Sequence, residues 1–280
     1  MDLPAQLAGL VKFSHSIFAL PFALAAMLLA MGGLPPARLV LLILLCMITL
    51  RNAAMAFNRY LDAEIDARNP RTATRHIPSG LLSKNFVLFF AMINAFFFIL
   101  ATSWINPLSF NLAFPALGLA CFYSFTKRIT ALSHLILGSV LGISPVGAWI
   151  AVTGEISFLP VLLGIAVIFW VAGFDLIYAT QDFDFDKKQG LHSLAVALGI
   201  RGALFLSKIF HLITLLLLLW FGQVAILGGI YYVSWLLIAG LFVYEHSLVK
   251  ADDLSRVNAA FFNVNGIISL IFLAGVALSL

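Results

Sequence analysis

Two acid-rich stretches carry residue types and spacings suited to holding a hard cation. In Asn58-Arg59-Tyr60-Leu61-Asp62-Ala63-Glu64-Ile65-Asp66, the side chains of Asn58, Asp62 and Asp66 recur at i, i+4 and i+8. In the run from Asp175 to Asp186 (DLIYATQDFDFD), Asp175, Tyr178, Asp182 and Asp186 recur at i, i+3, i+7 and i+11. On a helix, both spacings keep the oxygen atoms on one face. Two such stripes facing each other would make an oxygen-only cage, the donor set preferred by Mg²⁺. The stretches hold three and four of the twelve acidic residues, and each ends a long apolar run. A cation cage beside lipid points to chemistry on a lipid diphosphate.

Basic residues follow both stretches. Arg68, Arg71, Arg75 and Lys84 come after the first, Lys127 and Arg128 lie between the two, and Lys187 and Lys188 follow the second. A diphosphate needs both kinds of partner: metal bridges some of its oxygens, while Arg and Lys neutralise the rest. Any single cation here also satisfies the positive-inside rule, and Lys84 and Lys250 are read that way. Arg71, Arg75, Lys127 and Arg128 are read as diphosphate contacts.

The elements that position these residues are membrane spans. Of 280 residues, 62% are hydrophobic and 10% charged, and the mean hydropathy is +1.07. Soluble domains carry about a quarter charged residues. Nine apolar runs are long enough to span, near 13–32, 37–57, 86–104, 108–125, 133–152, 158–178, 199–219, 224–245 and 259–279. An N-terminus inside puts 1–12, 58–85, 126–132, 179–198 and 246–258 in the cytoplasm. Those segments and the helix ends beside them carry every Lys and Arg except Arg38, which argues for an N-in, C-out chain. Both acid motifs then face the cytoplasm. The net charge of +4 needs no nucleic-acid partner, because topology and anionic membrane lipid account for it. The first run is long, contains His15 and lacks a cleavage pattern, so no signal peptide is expected. Cys46 and Cys121 fall within spans at no metal-ligand spacing. No polar stretch is long enough for a soluble domain, so a single transmembrane domain over 1–280 is expected. A weak repeat is visible, in which a helix pair delivers an acid motif and then a basic loop, once at Asp62 and again at Asp182.

Taken together, the chain resembles the UbiA superfamily of intramembrane aromatic prenyltransferases. The family's N-x-x-x-D-x-x-x-D motif stands as Asn58, Asp62 and Asp66, followed by Arg71-Thr72, Arg75, Pro78 and Gly80. Its D-x-x-Y-x-x-x-D-x-x-x-D motif stands as Asp175, Tyr178, Asp182 and Asp186, and its Y-x-F-x-K-R element as Tyr123 to Arg128. The resemblance implies an all-α integral membrane fold, with nine transmembrane helices around a lateral cavity. It implies two Mg²⁺ ions ligated by Asp62, Asp66, Asp182 and Asp186, with Asn58 orienting the first metal shell. A polyprenyl diphosphate donor would meet Arg71, Arg75, Lys127 and Arg128, and an aromatic acid acceptor would attack the cation formed when diphosphate leaves. Some of the 26 Phe residues would line the channel. Asp175, Tyr178 and Asp182 are the catalytic candidates. Tyr178 would position diphosphate or acceptor, and Asp175 would either take the acceptor proton or act through the metal.

The segments SHSIFALPFAL, AMAFNRYLDAEIDARNPRT and GFDLIYATQDFDFDKKQGLHSL are most similar to a bacterial branch of 4-hydroxybenzoate polyprenyltransferase-like members, some tied to menaquinone by the futalosine route. The resemblance therefore implies a bacterial inner-membrane enzyme of ubiquinone or menaquinone synthesis, with 4-hydroxybenzoate or a dihydroxynaphthoate as acceptor. One departure stands out: where relatives begin the first helix with Arg and a Lys-Pro pair, this chain reads Lys12-Phe13-Ser14-His15-Ser16. Alternative acceptors are haem, a chlorophyll precursor or a glycerol-phosphate lipid. The alternative of another class is a secondary transporter, whose ion sites usually lie at the membrane midplane.

Overall fold

The computed structural model describes residues 3–11 and 18–280, and its regular elements there are helices. They run α1 (Leu3–Leu10), α2 (Leu20–Met31), α3 (Ala37–Leu61), α4 (Ala63–Arg68), α5 (Lys84–Ser103), α6 (Pro107–Thr126) and α7 (Ser133–Thr153). Then follow α8 (Phe158–Ala179), α9 (Phe183–Gln189), α10 (Leu194–Val224), α11 (Gly229–Leu248) and α12 (Asn265–Ala277). A tight three-residue turn, Thr180–Asp182, joins α8 to α9, and a wide helical turn, Ala259–Val264, leads into α12.

Seven of the described helical stretches are long and apolar enough to cross a membrane: α3, α5, α6, α7, Phe158–Gln189, α10 and Ala259–Ala277. The other two expected spans differ for distinct reasons. Helix α2 has 12 described residues, and Lys12 and His15 before it lie outside the described residues. Helix α11 has the length, but Tyr231, Tyr232, Trp235, Glu245 and His246 lower its hydropathy. It continues to Leu248, past the expected loop boundary at 246. Helix α10 starts at Leu194, before the expected 199, and bends at Gly199, whose φ of 72° suits a residue without a Cβ.

The helices form two compact units, one of α1 and α3 to α6, the other of α2 and α7 to α12. In the first, α3 lies along α5, and Asn52 Nδ2 donates to Asn94 Oδ1 at 3.1 Å between them. Leu10, Val11, Ala56, Val87 and Ala91 form its buried cluster. Apolar packing drives little association between helices already in lipid, so such polar links and close contacts matter more.

The second unit is held by contact between α7 and α8. A Cβ on Gly138 would lie 2.3 Å from the Ile168 carbonyl oxygen, and one on Gly142 would lie 2.7 Å from that of Gly164. The Gly138-x-x-x-Gly142 pair thus lets the two backbones touch. Behind α8, Trp170, Phe22, Phe174, Phe221 and Phe272 are almost fully buried. Phe22 stacks on Phe272 with ring centres 4.6 Å apart. Trp170 Nε1 donates to Asn265 Oδ1 at 2.7 Å, and Asn265 Nδ2 donates to Glu245 Oε1 at 2.9 Å. Polar atoms this deep need partners, because none can be borrowed from lipid.

Candidate active site

In the first unit the acid motif is a corner. Helix α3 ends at Leu61 because Asp62 sits at φ −89°, ψ 3°, and α4 starts one residue later. Backbone pairing survives the turn: Asp62 N–H reaches Asn58 O at 2.9 Å, and Asp66 N–H reaches Asp62 O at 2.8 Å. Asn58 Nδ2 donates to Asp62 Oδ2 at 3.2 Å. Asp62 and Asp66 are both buried, at 2% and 4% exposure. A carboxylate this buried needs a cation. Asp66 has Arg75 Nη1 at 2.7 Å from Oδ1 and Arg59 Nη1 at 3.9 Å from Oδ2.

The loop after α4 folds back by short-range bonds. Asn69 Oδ1 accepts from Arg71 N–H at 2.9 Å, closing an Asx turn. Thr72 Oγ1 donates to Asp66 O at 3.0 Å, which brings Arg75 round to the carboxylate. Arg71 itself stays exposed. His76 is held below the usual histidine value, first by burial and then by the nearby Arg59 charge.

The second motif repeats this construction. Helix α8 ends at Ala179, the turn Thr180–Asp182 follows, and Asp182 takes φ −99°, ψ 4° before α9. Asp62 and Asp182 therefore share one sparsely populated backbone conformation, common among active-site residues. Each precedes a short acidic helix whose last turn is basic, with Arg68 in α4 and Lys187 and Lys188 in α9. This corrects the picture of two straight helical stripes: each motif breaks at its central Asp. Aspartate competes with the helix for backbone hydrogen bonds, and that favours such corners. Asp182 and Asp186 are half-buried.

Asp175 has a basic neighbour that sequence reading missed. His134 Nδ1 lies 2.7 Å from Asp175 Oδ2, with side-chain exposures of 4% and 17%. The only signal in the sequence was an ionisable residue at the start of an apolar run, four positions before Gly138. Tyr178, one turn beyond Asp175, places its ring 4.4 Å from that of Phe261. Lys127 and Arg128 are half-buried just beyond α6. Lys127 O accepts from His192 N–H at 2.7 Å, tying that turn to the loop after the second motif.

Within the described residues, no three His, Cys, Asp or Glu side chains form a ready metal cage. Mg²⁺ does not require one, since it is usually held by one or two carboxylates with substrate phosphates and water. The donor set fits that mode. All its ligand atoms are oxygen, and Asp66 Oδ2 is buried without a hydrogen-bond partner among the described residues.

The model of the UbiA prenyltransferase family matches residues 19–267. The chain is 34% identical over 275 residues to the 4-hydroxybenzoate octaprenyltransferase of Aeromonas hydrophila, covering 98% of this chain and 95% of that one. It is 34% identical over 255 residues to the enzyme of that name from Vibrio cholerae, covering 91% and 89%. A UbiA homologue from Aeropyrum pernix has the same fold, with TM-score 0.85 and 33% identity over 94% of this chain and 97% of that one. An Archaeoglobus fulgidus homologue bound to DMAPP and Mg²⁺ shares the fold with TM-score 0.78 and 20% identity, over 98% of each chain. With its two acid corners, its run of apolar helices and relatives matched over nearly its whole length, this integral membrane protein belongs to the UbiA prenyltransferase family.

Proposed function

We propose that this prenyltransferase moves a polyprenyl chain from polyprenyl diphosphate to the ring of a hydroxylated aromatic acid, with Mg²⁺. The acceptor is 4-hydroxybenzoate or a dihydroxynaphthoate, and the names of the bacterial relatives favour the first. The carrying observation is the shared build of the two acid corners at Asp62 and Asp182.

Reaction requires the allylic C–O bond to break, with diphosphate leaving on the bonding pair. The ring carbon then forms the new C–C bond and loses its proton. Bound Mg²⁺, two ions in this reading, would offset the charge that builds on the diphosphate. Asp62, Asp66, Asp182 and Asp186 would hold those ions, and Asn58 would orient Asp62 through the hydrogen bond already made. Arg71, Arg75, Lys127 and Arg128 bind the phosphate oxygens, Arg by its two-pronged fork and Lys as a point charge. Tyr178 positions substrate, Asp182 acts at the departing diphosphate, and Asp175 takes the acceptor proton. Lipid keeps water from the cation. The whole chain acts as one transmembrane domain with nine spans, the expected runs at 13–32 and 224–245 being the two beyond the seven described. It lies N-in and C-out in a bacterial inner membrane, its chemistry at the cytoplasmic face.

The test is prenyl transfer in detergent with labelled polyprenyl diphosphate and Mg²⁺, offering 4-hydroxybenzoate and 1,4-dihydroxy-6-naphthoate separately. Product from one acid is expected, lost on chelation and in Asp62→Asn and Asp182→Asn variants that still fold. Full turnover in either variant would overturn the metal assignment. No product from either acid would overturn the acceptor class.

A further inference from the structure

The geometry points to His134 as the positioning residue for Asp175, an inference that rests on the proposed role of Asp175 in accepting the ring proton. The register of two helices leads there. His134, Gly138 and Gly142 recur every four residues along one stripe of α7. Gly142 meets Gly164, and Gly138 meets Ile168 one turn further along antiparallel α8. One turn before Gly138 on α7, the long His134 side chain reaches Asp175, about two turns beyond Ile168 on α8, where Nδ1 and Oδ2 stand 2.7 Å apart. The glycine contacts leave α7 and α8 little freedom to slide, so the imidazole is held in place by backbone packing.

Three observations separate this contact from simple helix glue. The glycine stripe already joins α7 and α8, and an ionisable pair in a span adds a cost that packing alone does not need. His134 is buried at 3% exposure, and its Nε2 has no hydrogen-bond partner among the described residues. The ring's one hydrogen bond among the described residues therefore goes to a carboxylate oxygen. An ionised Asp175 also requires the proton on Nδ1, because two acceptors do not approach this closely. The ring then fixes the rotamer of Asp175 and commits Oδ2, which leaves Oδ1 as the oxygen able to take a proton. Asp175 stands one turn before Tyr178 on the same helix, so that oxygen is aimed from a rigid element.

The experiment compares His134→Leu, His134→Asn, His134→Gln and Asp175→Asn in the transfer assay, with the unfolding midpoint of each measured in detergent. Asn offers an N–H near the place of Nδ1, whereas Gln offers one a carbon further out. The Leu and Gln variants should lose about ten- to a hundredfold in kcat, the scale seen for outer hydrogen-bond partners of functional ligands. The KM for polyprenyl diphosphate should not change. The Asn variant should recover most of the loss, and adding His134→Leu to Asp175→Asn should cost nothing further. Equal kcat for Asn and Gln, or normal kcat for the Leu variant beside an inactive Asp175→Asn, would overturn the inference while leaving Asp175 in its role. Normal kcat in Asp175→Asn would instead overturn the role of Asp175, and the inference with it. The Asn and Gln contrast stands even if the Leu variant does not fold.

Discussion

Arg75 Nη1 donates to Asp66 Oδ1 at 2.7 Å, between residues nine positions apart in the chain. Sequence spacing assigns these two residues different tasks, one to a metal and one to a phosphate, yet the fold bonds them directly. Each limits the charge the other exposes: Asp66 is buried and Arg75 half-buried.

Removing the guanidinium should therefore be felt in stability as well as turnover. Arg75→Met leaves the Asp66 carboxylate facing Arg59 at 3.9 Å. A loss of about 3 kcal/mol is expected, the low end for breaking a buried pair because Arg75 is partly solvated. Thermal unfolding in detergent measures it. The double variant Asp66→Asn with Arg75→Met should be less unstable than the two single losses added together.

The α7–α8 contact gives a matched pair of substitutions. Gly138→Ala places a Cβ 2.3 Å from the Ile168 carbonyl, so the helices must part. The expected cost is about 1–3 kcal/mol, as for other overpacked sites. Gly147, on the same helix, has nothing within 4 Å of a built Cβ. Gly147→Ala should leave stability unchanged or raise it by up to about 1 kcal/mol. Unfolding midpoints that move alike in the two variants would contradict the packing described.

Lys127→Ala should weaken donor binding more than acceptor binding. The turn itself is held by the Lys127 backbone carbonyl and His192 N–H, and the substitution leaves both in place. Losing one charge-assisted bond corresponds to about a tenfold rise in the KM for the diphosphate. An unchanged donor KM would put Lys127 outside the diphosphate contacts.

Acid should destabilise the first unit through His76. Its folded value lies below the ordinary one, from burial and then the Arg59 charge, so the unfolded chain takes up the proton more readily. This group costs nothing above its unfolded pKa near 6.5. Stability falls as pH drops below that value and stops falling once the folded pKa is passed. His76→Gln should flatten that part of the decline, read from unfolding midpoints between about pH 7.5 and about pH 5.5.

How much of this was legible without coordinates differs by residue. The acid spacings and the cationic loops were legible as a candidate site, because acids beside apolar runs are costly. The apolar runs at 133–152 and 158–178 match α7 and α8 to within a residue or two. The corners at Asp62 and Asp182 were not legible, since i+4 spacing reads the same on a straight helix and across a one-residue break that keeps its hydrogen bonds. Helix α11 was placed too early, because Gly228 before it, Gly229 at its start and Glu245 near its end blur its hydropathy edges.

The sequence by itself determined the class of protein and most of the helices that carry its acid motifs, because hydropathy and charge act locally along the chain. Only tertiary structure decided which side chains meet. Asp66 pairs with Arg75 because a loop turns back on itself, and His134 meets Asp175 because glycines bring two helices into one register. Both contacts depend on how the backbone folds back on itself, which no spacing in the sequence encodes.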